Sequence, residues 1–152
     1  MTGCPASYTE VFAILGWIIT GLGWYITSAQ ANTRDKRKEL RAQIDSLIET
    51  IDITQEFAFE YYSNQGDARQ KNRLQLFQKL QKIETKNSVI TKYENNFDVN
   101  SEFSGFWEAI TDGDFDSKLL KKLDSSDERF SRISSACSYL ISKIEVWYLK
   151  TK

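Results

Sequence analysis

The sequence predicts an all-α protein: a single N-terminal transmembrane helix continuing into an antiparallel helical bundle of about three long helices plus short ones. Three observations carry this reading. An uncharged run of 23 residues lies between Glu10 and Arg34. Apolar residues then recur at spacings of three and four through most of the remaining chain. Helix breakers are scarce, with one proline and seven glycines in 152 residues. The expected organisation is a short external tail (1–9), a transmembrane helix (10–33) and a cytoplasmic α-helical domain (34–152).

The uncharged run reads VFAILGWIITGLGWYITSAQANT. About 20 mainly apolar residues cross a ~30 Å hydrocarbon core, so its length suffices with some tilt. Tyr8 before it and Trp24 and Tyr25 near its far end stand where interfacial aromatics are expected, while Trp17 falls mid-span. A buried core helix would need a chain able to surround the segment on all sides, and the rest of this chain is mostly amphipathic surface. A secretory signal competes, because Ala29-Gln30-Ala31 has the form of an A-x-A cleavage site. Against it, no Lys or Arg precedes the run, and the run exceeds the usual 7–15 residues of a signal's apolar region. Arg34, Lys36, Arg37, Lys38 and Arg41 follow within eight residues, whereas the nine-residue tail carries no Lys or Arg. By the positive-inside rule this basic cluster puts the tail outside and the C-terminal domain in the cytoplasm. Within the run, Ala13, Gly16, Thr20, Gly23 and Thr27 share one helix face. Small residues allow close backbone approach between helices in a bilayer, so this is the candidate packing face for another copy or another membrane protein.

Beyond the anchor, Leu40, Ile44, Leu47, Ile51, Thr54, Ala58 and Tyr61 form a heptad-like seam with no Gly or Pro between Gly23 and Gly66. Gly66 is expected to end this helix. A second helix to about Tyr93 carries Leu76, Leu80, Ile83, Asn87 and Ile90 on one stripe, with Leu74 and Phe77 beside it. Asp45, Glu49, Asp52, Glu56 and Glu60 make an acidic row on the first helix, while Arg69 to Lys92 holds seven basic residues against Glu84. A hairpin is expected to bring these two sets of charge together. From Tyr93 to Ser117 seven acids and no Lys or Arg are interleaved with Phe97, Phe103, Phe106, Trp107 and Phe115. Here a short helix capped by Ser101 is expected inside an acidic aromatic connection. Leu119, Leu120 and Leu123 suggest a further short helix. Ser125 with Glu128 three residues on suggests a capping box for a last helix, on which Phe130, Ile133, Cys137, Leu140, Ile144 and Trp147 recur strictly at three and four.

The chain has no histidine, and Cys4 and Cys137 stand too far apart in sequence for a zinc-finger pattern. Ser-His-Asp, Cys-His and E-x-x-H di-metal arrangements are therefore excluded within it. With 20 basic against 21 acidic side chains and a pI near 5.6, a general nucleic-acid-binding role is disfavoured. Asp112-Gly113-Asp114-Phe115-Asp116 has the D-x-D-x-D alternation of a calcium loop. Ser117 and Leu123, however, occupy the positions where an EF-hand places Gly and Glu. No phosphate-cradling glycine motif or nucleophile elbow occurs, so no catalytic residue, cofactor or metal site is expected.

The order of a short outer tail, an anchor, the basic R-x-K-R-K-E-x-R segment from Arg34 to Arg41 and an all-helical domain resembles small bacterial single-pass membrane proteins of uncharacterised role. The stretch Ala109-Ile110-Thr111-Asp112-Gly113-Asp114-Phe115 is similar to a turn in such proteins. The resemblance implies a bacterial inner membrane and no particular activity. The leading expectation is a membrane-anchored, non-enzymatic helical scaffold that binds itself or a cytoplasmic protein partner. Two alternatives stay open: a toxic or regulatory effector of the phage-defence type that assembles in the bilayer, and a secreted helical binding domain released near Ala31.

Overall fold

A computed structural model describes residues 8–113, 115, 122–124 and 126–151, and among these it assigns no side-chain placement to residues 8–15, 26, 29 and 66–68. Four helices account for nearly all of them: α1 (Tyr8–Ser63), α2 (Gly66–Tyr93), α3 (Asn100–Thr111) and α4 (Glu128–Lys150). The fold class is all-α, as the periodicity predicts. The chain divides into two compact units, Met1–Arg41 and Ala42–Lys152, with the division falling inside α1. The basic cluster thus belongs with the N-terminal unit, eight residues past the expected boundary at 33/34.

In the N-terminal unit, α1 is helical from Tyr8 onward with no break. Among the described residues no helix is long and apolar enough to cross a membrane, so they do not by themselves support a transmembrane helix over 10–33. Described side chains begin at Gly16. The most apolar part of the run, Val11–Leu15, and with it Ala13 of the small-residue face, lies outside them.

The second unit is a ring of four helices in which each neighbour runs antiparallel to the next, and the contacts give the register. Between α1 and α2, Lys86 Nζ donates to Ser46 O and Thr50 Oγ1, both at 2.8 Å. Lys79 Nζ then sits 5.1 Å from the Phe57 ring centre and the Arg69 guanidinium 4.8 Å from both Tyr61 and Tyr62. Between α1 and α4, Gln55 Nε2 donates to Ser134 Oγ at 3.3 Å and the Phe59 and Phe130 rings meet edge to face at 5.3 Å. Asn87 Nδ2 to Asn100 Oδ1 at 3.0 Å and the Phe77–Trp107 ring pair at 5.4 Å join α2 to α3. Ion pairs from Lys143 to Glu102 (3.5 Å) and from Arg132 to Asp112 (3.2 Å) join α3 to α4. At the centre Leu47, Ile51, Ile83, Asn87, Val99, Phe103, Leu140 and Ile144 close on one another without room for a water molecule. This is the up-down-up-down bundle order, with short connections except the 16 residues, 112–127, between α3 and α4.

Several expectations need correction. Gly66 does not end α1. Asn64 N closes the helix on Glu60 O, Gln65 is extended, and Gly66 is the first residue of α2, so the hairpin turns on two residues. Ser101 is not a cap, because α3 starts one residue earlier and Asp98 Oδ1 accepts from Asn100 N. The α4 cap is Asp127, whose carboxylate accepts from Arg129 N at 2.9 Å; an acid there suits the positive end of the helix dipole. The acidic aromatic connection is a full member of the bundle, since Phe103, Phe106, Ala109 and Ile110 form a buried face on α3. Asp98, Glu108 and Asp112 there are exposed, while Glu102 is largely covered and meets Lys143 of α4. Leu123 is not helical, and Leu119 and Leu120 lie outside the described residues. Of the two charge rows, Glu49 of α1 lies close enough to Lys86 of α2 for its charge to act on that amine. The α2 cations named above reach hydroxyls, a main-chain carbonyl and aromatic rings of α1, which lie nearer the interface than the exposed acidic row.

Two outcomes are expected. Residues 36–152 alone should give a strongly helical circular dichroism spectrum with a cooperative melt. In that fragment Leu140→Ala should lose ~2–5 kcal/mol by urea unfolding, because Leu140 is 1% exposed in the closed core. Leu149→Ala, at a 60% exposed position of the same helix, should change stability by less than about 0.5 kcal/mol.

Candidate functional site

Two regions stand out, one in each unit. In the N-terminal unit Trp17, Ile18, Ile19, Leu22, Trp24 and Tyr25 are 52–80% exposed. At 100° per residue these positions spread over about 220° of the circumference of α1, and Gly16, Thr20, Gly23 and Thr27 lie in the remaining arc. Gly16, Gly21 and Gly23 have nothing within 4 Å of the space a Cβ would take. Thr20 Oγ1 donates to Gly16 O and Thr27 Oγ1 to Gly23 O, each at 2.8 Å, so these hydroxyls are satisfied within their own helix. The predicted packing face thus keeps its described members Gly16, Thr20, Gly23 and Thr27 together and open. Beyond it, Arg34, Lys36, Arg37 and Lys38 are exposed and Arg41 is half-buried. Lys38 pairs with Asp35 at 3.8 Å, but with both side chains about three-quarters exposed or more this contributes little.

In the bundle, the ends of α1 and α3 and the starts of α2 and α4 converge on a buried arginine. Arg69 is fully buried, its guanidinium over the rings of Tyr61 and Tyr62, while Arg129 covers Tyr62 at 4.7 Å. Flat, weakly hydrated guanidinium groups are suited to such stacking. The two phenols clamp the turn that follows α3: Tyr62 Oη donates to Ile110 O, and Tyr61 Oη donates to Phe115 O at 2.8 Å. Phe115 is buried against Tyr61, and Arg132 holds Asp112. Gly113 takes φ 73°, and a Cβ there would lie 2.6 Å from an Arg129 guanidinium nitrogen. The turn singled out in the sequence is therefore a packing device at the end of the bundle. Asp114 and Asp116 lie outside the described residues, among which no cluster of His, Cys, Asp or Glu could hold a metal ion.

Sequence reasoning counted Arg69 with the solvated cations of α2. The signal for its burial was present, since Arg69 lies seven residues before Leu76 on the stripe that continues through Leu80, Ile83, Asn87 and Ile90. Cys137 is where its spacing put it, 1% exposed. Burial, with the charge of Asp52 second, pushes its thiol up to about 12, so the nucleophilic thiolate is absent at neutral pH. The Lys86 amine is held below its usual range by burial and then by Lys82, while its hydrogens go to Ser46 O, Ser46 Oγ and Thr50 Oγ1. These groups are engaged in holding helices together.

No protein-family model matches the chain, and no curated protein or solved structure does. The functional reading therefore rests on the residues themselves.

The turn gives a paired test by thermal or urea unfolding. Gly113→Ala should destabilise the bundle by about 1–2 kcal/mol, from the left-handed backbone alone, with the Arg129 clash adding to it. Gly105→Ala, in the middle of α3 with nothing near its Cβ position, should stabilise by about 0.5–1 kcal/mol.

Proposed function

We propose that the chain is a membrane-anchored, non-enzymatic helical scaffold of a bacterial inner membrane, with its bundle in the cytoplasm. The observation that carries the anchor is the broad face of exposed Trp17, Ile18, Ile19, Leu22, Trp24 and Tyr25 on α1. A partner protein docking on one side would need an apolar stripe. Here large apolar side chains cover about 220° of the helix and small Gly and Thr residues the rest, an arc too wide for one docked protein surface and suited to a bilayer. The internal hydrogen bonds of Thr20 and Thr27 suit a medium with no water to receive their hydroxyls. The basic cluster supports the orientation. A scaffold role rests on the engaged state of the bundle's reactive groups: a buried protonated thiol, a half-buried lysine on hydroxyls, and stacked arginines.

The anchoring and orientation are testable together. The full chain should stay with membranes through alkaline carbonate extraction, and a C-terminal reporter active only outside the inner membrane should be silent. Release by carbonate, or an active reporter, would sink the corresponding half of the reading. Replacing Arg37, Lys38 and Arg41 by Gln should weaken the orientation bias.

The face bearing Gly16, Thr20, Gly23 and Thr27 is the surface proposed for pairing with another copy or another membrane helix. Gly16→Ile with Gly23→Ile keeps the span apolar and meets no obstacle within the chain. It should sharply lower a membrane two-hybrid signal, while Ile at Leu15 and Leu22 should change it little.

A further inference from the structure

Four of the five basic residues that follow the exposed apolar face share one side of α1, Lys36 being the exception. Arg34, Arg37, Lys38 and Arg41 stand at i, i+3, i+4 and i+7 of α1, one side of the helix, whereas Asp35 and Glu39 lie on another. Arg34, Arg37 and Lys38 are exposed. Between the aromatic pair and this stripe runs the uncharged polar segment Thr27–Thr33, seven residues or about 10 Å of helix. The polar layer of a bilayer is roughly 5–7 Å deep on each side. Side chains on a helix incline toward its N-terminus, here back toward the apolar run. Long basic side chains starting just past a headgroup layer and leaning into it meet lipid phosphates.

Resting on the anchoring reading above, we infer that this basic side of α1 binds the phosphates of anionic lipid headgroups, so that the helix leaves the membrane leaning on its Arg34–Arg37–Lys38–Arg41 side. The stripe adjoins the bilayer directly, and a membrane surface carrying anionic lipid presents negative charge at that depth. Arginine adds planar, two-pronged recognition of phosphate oxygens, which three of the four positions can supply. Asp35 stands at the flank of this side, 3.8 Å from Lys38, and Glu39 lies further round the helix.

The test uses the full chain reconstituted in bilayers of mixed phosphatidylcholine and phosphatidylglycerol, with native mass spectrometry of the lipids it retains. The wild-type chain should retain phosphatidylglycerol in preference to phosphatidylcholine, and millimolar inorganic phosphate at constant ionic strength should not displace it. Arg34→Gln/Arg37→Gln/Lys38→Gln should lower that preference by roughly 100-fold, since each cation near the surface contributes about fivefold. The matched triple Lys71→Gln/Lys82→Gln/Lys92→Gln, three exposed cations of α2, should retain it. Equal loss in both triples, no loss in the first, or displacement by phosphate would overturn the inference. Flotation with pure phosphatidylcholine vesicles separates the two readings. Insertion without any preference for the anionic lipid refutes headgroup binding alone, and failure to insert refutes the anchor on which it rests.

Discussion

Burial of one stripe on α1 governs the bundle. Ile44, Leu47, Ile51, Thr54, Ala58 and Tyr61 are each at most 1% exposed, and no single neighbouring helix can cover such a face. Covering a large apolar side chain is worth about 1.5–3 kcal/mol, so this stripe carries much of the drive to assemble. The two-residue turn at Asn64–Gln65 forces α2 back along α1. Closing the remaining side then requires α3 and α4, and the short α1–α2 and α2–α3 connections favour antiparallel neighbours there.

The same geometry explains the polar groups inside. A helix ring brings four termini to one end, where main-chain carbonyls lack helical partners. Tyr61 and Tyr62 meet two of these needs by donating to Ile110 O and Phe115 O. Their ring faces in turn receive Arg69 and, on Tyr62, Arg129. An arginine taken out of water costs several kcal/mol unless compensated, and stacking between two rings is one compensation available in an aromatic core. The turn through Gly113 is shaped by this cluster: its left-handed residue clears the space that Arg129 occupies.

The proposed anchor and the bundle obey opposite rules. In the bundle apolar residues face inward and, Arg69 apart, charge faces out, while from Trp17 to Tyr25 large apolar side chains face outward over about 220° of the helix. The small-residue side of α1 and the basic stripe also lie in line, Gly16, Thr20, Gly23 and Thr27 leading at the same spacing into Arg34. Two parallel copies meeting on that side would set like charges opposite each other. Lipid phosphate gathered by the stripe is a counter-charge that would relieve this repulsion, tying the pairing surface to the lipid composition around it.

By itself the sequence determined the helical class, the α1, α2 and α4 stripes and the extent of α2 to Tyr93, because a period of three and four over many residues needs no tertiary information. Asp127 rather than Ser125 as the α4 cap, and Asn64–Gln65 rather than Gly66 as the turn, were beyond it, since neighbouring polar residues offer equivalent local hydrogen bonds and packing selects among them. The short helix α3 was legible from its apolar spacing, but its place as a bundle member was not, because its apolar face is short and surrounded by acids that read as a connection. The buried Arg69 was hidden because residue type spoke for solvent while position spoke for the core. Only the assembled bundle decided that case, by placing two aromatic faces where the guanidinium had to go.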